Sequence, residues 1–192
     1  MTGTGGGRTV LGGSSPTPGS AGAPTDRTSP DVEPSVRTAL DTDADGLVAL
    51  VGSCFSEYEG CILDTEDEMP HLLRVATHFT VAGGRAWVAV AGGSVVGSVA
   101  CRPARGAGGL ELQMLYVLAL WRRRGLGSRF VAIVEGEAMG RREHFVELWS
   151  DTRFTDAHRL YRSLGYEQRP DLRELHDLSA TREFRFTKTL GS

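Results

Sequence analysis

The sequence predicts an α+β domain in three layers, in which a central mixed, mostly antiparallel sheet contains one parallel pair of strands and carries helices on both faces. Two runs rich in Val and Ala, residues 85–91 and 94–102, flank the dipeptide Gly92-Gly93, which is typical of a two-residue hairpin. Further along, a strand, a turn rich in Arg and Gly, a helix and a second strand follow one another between residues 110 and 149. A strand–helix–strand connection places its two strands parallel.

The first 33 residues differ in composition from the rest of the chain. Gly, Ser, Thr and Pro dominate this stretch, and Val10, Leu11 and Val32 are nearly its only large apolar residues. Such a segment buries too little surface to offset the entropy that is lost on ordering. We therefore predict a disordered tail over residues 1–33 and one folded domain over residues 34–192.

The folded part is expected to begin with a short strand at residues 35–40 and two helices. Apolar residues recur at helical spacing over residues 41–55, after an acidic first turn. The second helix is predicted over residues 65–79, where Pro70 either delays the start of the helix or bends it. These helices form one of the two helical layers.

The remaining elements complete the sheet and the other helical layer. The runs at residues 85–91, 94–102 and 110–118 read as an antiparallel meander. After it, the pattern predicts helices and strands in alternation: a helix at 127–139, a strand at 144–149, a helix at 155–164, and strands at 166–168 and 182–189.

Composition argues against several classes of function. A formal net charge of −3 disfavours nonspecific nucleic-acid binding as the main role. No apolar run reaches the ~18 residues of a membrane helix, and no secretory signal opens the chain. The three cysteines match neither a zinc spacing nor a disulfide framework. We expect a cytoplasmic protein with no metal site and no membrane partner.

The turn that opens the helix at residues 127–139 reads Arg122-Arg123-Arg124-Gly125-Leu126-Gly127-Ser128. A helix N-terminus presents unpaired N–H groups and the positive end of the helix dipole, which suits a pyrophosphate. The two glycines allow the backbone to approach phosphate oxygens, and the arginines add charge-assisted contacts. The spacing matches neither the Walker P-loop nor the Rossmann fingerprint. The alternative is a basic turn without a ligand.

Two motifs resemble those of the GNAT superfamily of acyl-CoA N-acyltransferases. The pattern Arg-x-x-Gly-x-Gly follows the strand segment Leu115-Tyr116-Val117. Further on, Ala157-His158-Arg159-Leu160-Tyr161-Arg162-Ser163-Leu164-Gly165-Tyr166 is similar to the second family signature, Ala-x-x-Leu-Tyr-x-x-x-Gly-Phe/Tyr. The resemblance implies the GNAT fold and acetyl-CoA as the acyl donor.

The resemblance also implies where acetyl-CoA binds. The segment Leu115, Tyr116 and Val117 would bind the pantetheine arm, and the strands holding Val117 and Trp149 would splay apart to admit it. The pyrophosphate would be held by the backbone of the Arg/Gly turn, that is by Arg122, Arg123, Arg124, Gly125, Leu126, Gly127 and Ser128.

Two residues are the candidates for acid–base catalysis. The resemblance places Tyr161 near the CoA sulfur, as a general acid, and its alternative role is aromatic packing. Glu111 is the candidate base, because it lies six residues before Val117 on one strand and side-chain alternation would place both on one face. Deprotonation through water and a solvated carboxylate are the alternatives. His158 is expected on a helix surface.

The segment after the strand at 144–149 is where the acceptor of a GNAT enzyme approaches. Asp151 and Arg153 either recognise an ammonium and a carboxylate of the acceptor or pair with each other. Many relatives carry Asn where this chain has Phe154, so an amide contact to pantetheine is not expected here. An acidic stretch at residues 57–68 suits a cationic amine.

The sequence thus favours direct acetyl transfer from acetyl-CoA to a primary amine of a small molecule, in a ternary complex. The alternatives are a protein or peptide N-acetyltransferase and a non-catalytic CoA-binding regulatory module. The resemblance also raises the prospect of a homodimer.

Overall fold

A computed structural model describes residues 33–191, so nearly all of the predicted disordered tail (residues 1–33) lies outside the described residues. The described chain forms eleven main elements, which we number in chain order: β1 Ser35–Thr38, α1 Ala44–Phe55, α2 Val75–Val81, β2 Arg85–Ala91, β3 Ser94–Pro103, β4 Gly109–Val117, α3 Leu126–Gly140, β5 Phe145–Asp151, α4 Thr155–Ser163, β6 Glu167–Glu174 and β7 Arg182–Thr189. Short 3-10 turns precede α1, α2 and α3 at Asp41–Asp43, Pro70–Arg74 and Ala119–Trp121.

All seven of these strands join one sheet in the order β1-β2-β3-β4-β5-β7-β6. The pair β4 and β5 is parallel, and every other neighbouring pair is antiparallel. Helix α3 connects the two parallel strands, as the crossover rule requires. The predicted α+β fold, with a mostly antiparallel sheet and one parallel pair, is confirmed.

Two apolar cores separate the sheet from its helices. One core packs α3 against the sheet around Phe130, Val134 and Phe186, all fully buried. The other packs α1 and α2 against the sheet around Leu47 and Phe79. The helices therefore cover both faces, which gives the predicted three layers.

The hairpin between β2 and β3 has the predicted two-residue turn. Gly92 and Gly93 have φ angles of 58° and 86°, the left-handed values that a type I′ turn needs. The second helix is shorter than predicted: Pro70 opens a 3-10 turn and regular α-helix starts only at Val75. Residues 65–69 form turns instead, because the proline ring fixes φ and removes a donor.

A β-bulge interrupts β4. Ser98 pairs with Tyr116 whereas Ala100 pairs with Gln113, so one residue of β3 faces two residues of β4. Met114, within the bulge, has a φ of 53°. From the bulge to the end of β4, the extra residue reverses which of the two cores each side chain faces. This reversal determines which side chains of β4 reach the site.

Candidate functional site

The parallel strands β4 and β5 part from each other near the middle of the sheet. Their pairing runs from Gly109 opposite Phe145 to Leu112 opposite Leu148 and stops there, although β4 continues to Val117 and β5 to Asp151. The predicted splay of this pair is therefore confirmed. The gap exposes backbone groups that no neighbouring strand uses.

The N–H group of Val117 points into this gap. The next residue, Leu118, donates its own N–H to Val96 on the β3 side, at 3.0 Å. Because successive backbone groups of a strand alternate in direction, the N–H of Val117 faces the opposite side, where β5 has moved away. This donor is placed to bind a carbonyl oxygen that lies between the strands.

A cavity of about 440 Å³ opens between the gap and the start of α3. Leu115, Tyr116 and Val117 line it on the strand side. On the loop side it is lined by Arg122, Arg123, Gly125, Gly127 and Ser128. Leu126 instead packs into the core at 5% exposure. Eight of the ten residues predicted to bind pantetheine and pyrophosphate thus lie around one cavity, which we call the cofactor cavity, and Arg124 and Leu126 do not line it.

The backbone at the start of α3 forms a cradle for an anion. Gly125 has a φ of 83° and is the N-cap of this 15-residue helix, and its carbonyl accepts the N–H of Arg129 at 2.9 Å. The first N–H groups of the helix have no partner within it and face the cofactor cavity at Gly127 and Ser128. A Cβ on Gly127 would come within 2.9 Å of the Leu160 side chain. The cradle therefore fits a pyrophosphate, with Gly125 favoured by its positive φ and Gly127 by the close approach of Leu160.

The side chain of Arg122 forms a brace within the protein. Its Nε donates to the carbonyl oxygen of Val117 at 2.8 Å, and its two terminal nitrogens contact both carboxylate oxygens of Glu57 at 2.5 and 2.6 Å. These bonds raise the pKa of the guanidinium, chiefly through Glu57. The side chain ties the loop to β4 and to the end of α1, whereas Arg123 has its side chain at the cavity.

A second cavity, of about 480 Å³, lies beyond the gap on the side of β5 and β7. The two cavities share Leu115, Tyr116, Phe154 and Ala157 in their walls, so they meet where the strands part. We call the second one the acceptor cavity. A thioester reached through the cofactor cavity would present its carbonyl at this junction.

Tyr161 reaches the acceptor cavity from α4. Its ring packs against Phe186 and Tyr166, with ring centroids 5.6 and 6.0 Å apart, which fixes the direction of the side chain. Burial raises the pKa of its hydroxyl. The role of Tyr161 as a general acid stays a prediction.

Glu111 does not share a face with Val117, and the alternation argument for it was wrong. Leu110 and Leu112 face the core under α3, as do Leu115 and Val117, because the bulge at Met114 inserts one residue between the two pairs. Glu111 therefore lies on the opposite face of the sheet. It is 3% exposed and is held by Arg102 at 3.0 and 3.1 Å and by Gln113 at 2.9 Å.

Asp151 and Arg153 both line the acceptor cavity and pair with each other. The guanidinium of Arg153 contacts both oxygens of Asp151, at distances from 2.5 to 3.1 Å, and its backbone N–H also donates to Asp151, at 2.9 Å. Another nitrogen reaches the carbonyl oxygen of Glu59. Of the two roles left open by the sequence, mutual pairing is the one observed, although Asp151 is buried and not at the surface.

Two loops that are distant in the sequence form part of the wall of the acceptor cavity and contact each other. Ile62 donates its N–H to the hydroxyl of Ser179 at 2.9 Å, and Leu178 donates its N–H to Glu68 at 2.6 Å. We call this pair of contacts the loop clasp. It joins the segment before α2 to the connection between β6 and β7, which also brings His176 and Asp177 to the cavity wall.

Sequence reasoning missed two buried polar residues near the site. His158 was expected on a surface, but it is 4% exposed and its Nε2 lies 3.1 Å from the hydroxyl of Ser150, against the rings of Phe184 and Phe186. Burial lowers its pKa. Its spacing of three from Tyr161 places both on one side of α4, and this is the signal that indicated burial.

The second missed residue is Glu183 on β7. It lines the acceptor cavity opposite Asp151 and pairs with Arg173. Alternation with the apolar Phe184 and Phe186 placed Glu183 on the other face of its strand. Only the register of β7 against β5 brings it to the cavity.

The comparisons with known proteins agree with this architecture. Residues 82–168 match the family model of the acetyltransferase (GNAT) domain, a span that runs from the end of α2 into β6 and includes both motifs. This match and the shared fold confirm the resemblance to the GNAT superfamily. No curated protein matches the chain.

Many solved structures share the fold. An acetyltransferase of the GNAT family from Staphylococcus aureus Mu50 superposes with a TM-score of 0.69 at 17% identity, covering 82% of this chain and 99% of that one. The ribosomal-protein-alanine N-acetyltransferase of Brucella melitensis gives 0.64 at 22% identity, covering 81% and 99%. The protein yncA of Salmonella typhimurium, solved with its cofactor acetyl-CoA, gives 0.65 at 16% identity, covering 83% and 95%.

Residues 33–191 contain neither a membrane-spanning helix nor a cluster of metal-binding side chains. In this span, no helix is long and apolar enough to cross a membrane. Nor does the described part of the chain bring together three or more His, Cys, Asp or Glu side chains that could hold a metal ion.

Proposed function

We propose that this protein is an N-acetyltransferase that moves an acetyl group from acetyl-CoA to a primary amine of a small molecule, by direct transfer within a ternary complex. The observation that carries this proposal is the junction of two cavities at the parting of β4 and β5. One cavity ends in an anion cradle and the other contains a buried tyrosine, so donor and acceptor would meet end to end.

The residues around the junction have the chemistry that acyl transfer needs. Acetyl-CoA supplies an activated thioester when it is bound. The N–H of Val117 would polarise the thioester carbonyl as an oxyanion-hole donor. Tyr161, whose hydroxyl is protonated at neutral pH, would give a proton to the departing sulfur. The first turn of α3 would hold the pyrophosphate, with Arg123 beside it.

The charge of the acceptor cavity supports a cationic amine as the acceptor. Glu68, Asp151, Asp177 and Glu183 line it, while the only Arg or Lys in its described lining is Arg153. The guanidinium of Arg153 is already occupied by Asp151, so it is a poor partner for a substrate carboxylate. The excess of carboxylates would attract an ammonium group.

The size of the acceptor cavity supports a small molecule. The cavity has a volume of about 480 Å³, within the range of small-molecule sites, and residues of the loop clasp form part of its wall. A peptide acceptor is the competing possibility, since the structurally similar protein of Brucella melitensis is named for acetylating a ribosomal protein. The two possibilities differ in whether a peptide amine reaches the junction with the clasp closed.

The test is to follow release of the CoA thiol from acetyl-CoA with a panel of polyamines, amino acids, aminoglycosides and short peptides. Release that depends on a small amine and falls on the order of 10²-fold in Tyr161→Phe supports the proposal. Release only with peptides assigns the acceptor to proteins. Binding of acetyl-CoA by calorimetry, without release for any amine, identifies a non-catalytic CoA-binding module instead.

A further inference from the structure

Five carboxylates lie in or near the wall of the acceptor cavity, and two of them, Glu111 and Asp151, have both oxygens engaged. Glu111 accepts from Arg102 on Oε2 and from Gln113 on Oε1. Asp151 accepts from Arg153 on both of its oxygens. A carboxylate with both oxygens engaged by donors is a poor proton acceptor, because these bonds stabilise its charged form.

Glu68, Asp177 and Glu183 each use one oxygen, and Glu183 is the one of these three that lies on a strand of the sheet. Its Oε2 accepts from Nε of Arg173, and its Oε1 accepts no hydrogen bond from any residue between 33 and 191. The guanidinium of Arg173 lies over the ring of Trp149, with 4.4 Å between CZ and the ring centroid, which holds the pair in place. Oε1 is therefore available on a side chain whose orientation is fixed.

The position of Glu183 connects it to the reacting end of the site. It opens β7 opposite Asp151 at the end of β5, where β4 has already moved away. Its side chain is 14% exposed and lines the acceptor cavity. Its charge also acts on the hydroxyl of Tyr116, which lies in the wall that the two cavities share.

We propose that Glu183 is the general base that takes a proton from the ammonium group of the acceptor, a role that rests on the proposed acetyl transfer. Oε1 accepts one proton from R–NH₃⁺ to leave R–NH₂. The nitrogen lone pair forms the new C–N bond to the acetyl carbon, and the C–S bond breaks with its electron pair going to sulfur. Sulfur takes the proton of Tyr161, the tyrosyl oxygen takes the second proton of the nitrogen, and Glu183 releases its own proton to solvent.

The surroundings of Glu183 adjust its strength as a base. Burial raises the pKa of its carboxyl, and the charges of Asp151 on β5 and Glu111 on β4 raise it further, while Arg173 on β6 lowers it. A carboxylate with a raised pKa is a stronger base that is still ionised at neutral pH if the rise is moderate. Removing Arg173 should therefore move the acidic limb of the pH–rate profile to higher pH.

The chain offers a matched control for a Gln substitution of Glu183. Glu147 lies on β5, is 7% exposed, and pairs through one oxygen with Arg185 at 2.7 and 3.0 Å. It resembles Glu183 in burial and in having a single arginine partner, but it does not line the acceptor cavity. Glu147→Gln thus reports what the loss of a buried, arginine-paired carboxylate does by itself.

The experiment measures kcat/KM against pH for wild type, Glu183→Gln, Glu147→Gln and Glu111→Gln, using the best amine of the panel. We expect Glu183→Gln to lose on the order of 10²-fold at pH 7 and to recover towards wild type as the pH approaches the pKa of the amine itself, where the substrate is neutral without help. A purely structural loss would not depend on pH in this way. Acetyl-CoA binding and the melting temperature show whether each variant is folded.

Two results overturn this assignment. An active wild type whose Glu183→Gln variant keeps its rate to within threefold across the pH range removes Glu183 from the reaction. If Glu111→Gln shows the pH-dependent loss instead, the general base is Glu111 on β4. Wild-type protein that acetylates no amine in the panel overturns the proposed function and this role together, and so is distinguishable from both.

Discussion

The contacts of Arg122 lead to a prediction that distinguishes an arginine with a structural role in the loop from one that binds the ligand. Arg122→Gln removes the bond to the carbonyl of Val117 and both contacts to Glu57. Arg123→Gln makes the same change in charge one residue away, at the wall of the cofactor cavity. The two variants should therefore change different properties.

The size of the effect can be worked out from the contacts. Arg122 and Glu57 are 30% and 33% exposed, so their pair contributes near the upper end of a surface ion pair, about 1 kcal/mol. The bond to the Val117 carbonyl adds about 1 kcal/mol. Arg122→Gln should therefore lower the free energy of unfolding by about 2 kcal/mol, or the melting temperature by roughly 4–8 °C for a domain of this size.

Urea unfolding and calorimetric titration with acetyl-CoA measure both properties. We expect Arg122→Gln to be destabilised while the folded protein keeps its affinity to within a few fold. Arg123→Gln should keep its stability to within about 0.5 kcal/mol and bind acetyl-CoA about tenfold more weakly. A double-mutant cycle with Glu57→Gln should give a coupling of about 1 kcal/mol. Full stability of Arg122→Gln combined with a large loss of affinity would refute the brace.

Three further changes have defined outcomes. Gly84→Ala should destabilise the protein by about 3 kcal/mol or more in urea unfolding, because its Cβ would lie 1.9 Å from the backbone oxygen of Cys101. Gly136→Ala in α3, where a Cβ meets nothing within 4 Å, should instead stabilise it by about 0.5–1 kcal/mol, and a loss there would show that the helix is packed differently. Burial lowers the pKa of His71 from 6.5 to about 4. At a pH between these two values, the imidazole is therefore protonated in the unfolded chain and neutral in the folded one. Stability should therefore fall by about 2 kcal/mol as the pH drops from about 6.5 towards 4, and the fall should be smaller in His71→Leu when melting is followed against pH.

The sheet and its order could be predicted because local signals mark their elements. Gly92-Gly93 marks the first hairpin, and the Arg/Gly turn marks the entry to α3. By contrast, β6 was predicted only over residues 166–168 and extends to Glu174. It is an exposed edge strand that carries charges and Pro170, so it has no alternation of apolar residues to reveal it.

The cofactor end could be predicted and the acceptor end could not, for a physical reason. The residues predicted to hold the cofactor come from β4 and the turn that follows it, which are contiguous in the sequence and carry a motif, although α1 and α4 also contribute to the cavity wall. The acceptor cavity depends on register and on one bulge. The sequence around Met114 contains no signal for a φ of 53°. The bulge at this residue nevertheless places Glu111 and Val117 on opposite faces of the sheet. For this reason the base that we propose comes from another strand.

The loop clasp has a consequence for how the two halves of the site form and open. Its contacts join residues that are 110 and 117 positions apart, whereas the anion cradle uses neighbours in the chain. Closing so long a loop costs entropy before any contact repays it, so the acceptor wall should order late in folding. Opening the two hydrogen bonds between these surface loops also costs less free energy than unfolding the core of the sheet. Amide hydrogen exchange should therefore be fast at Ile62 and Leu178 and slow in β4, and the acceptor would enter through the least stable part of the domain while the donor is held by a stable one.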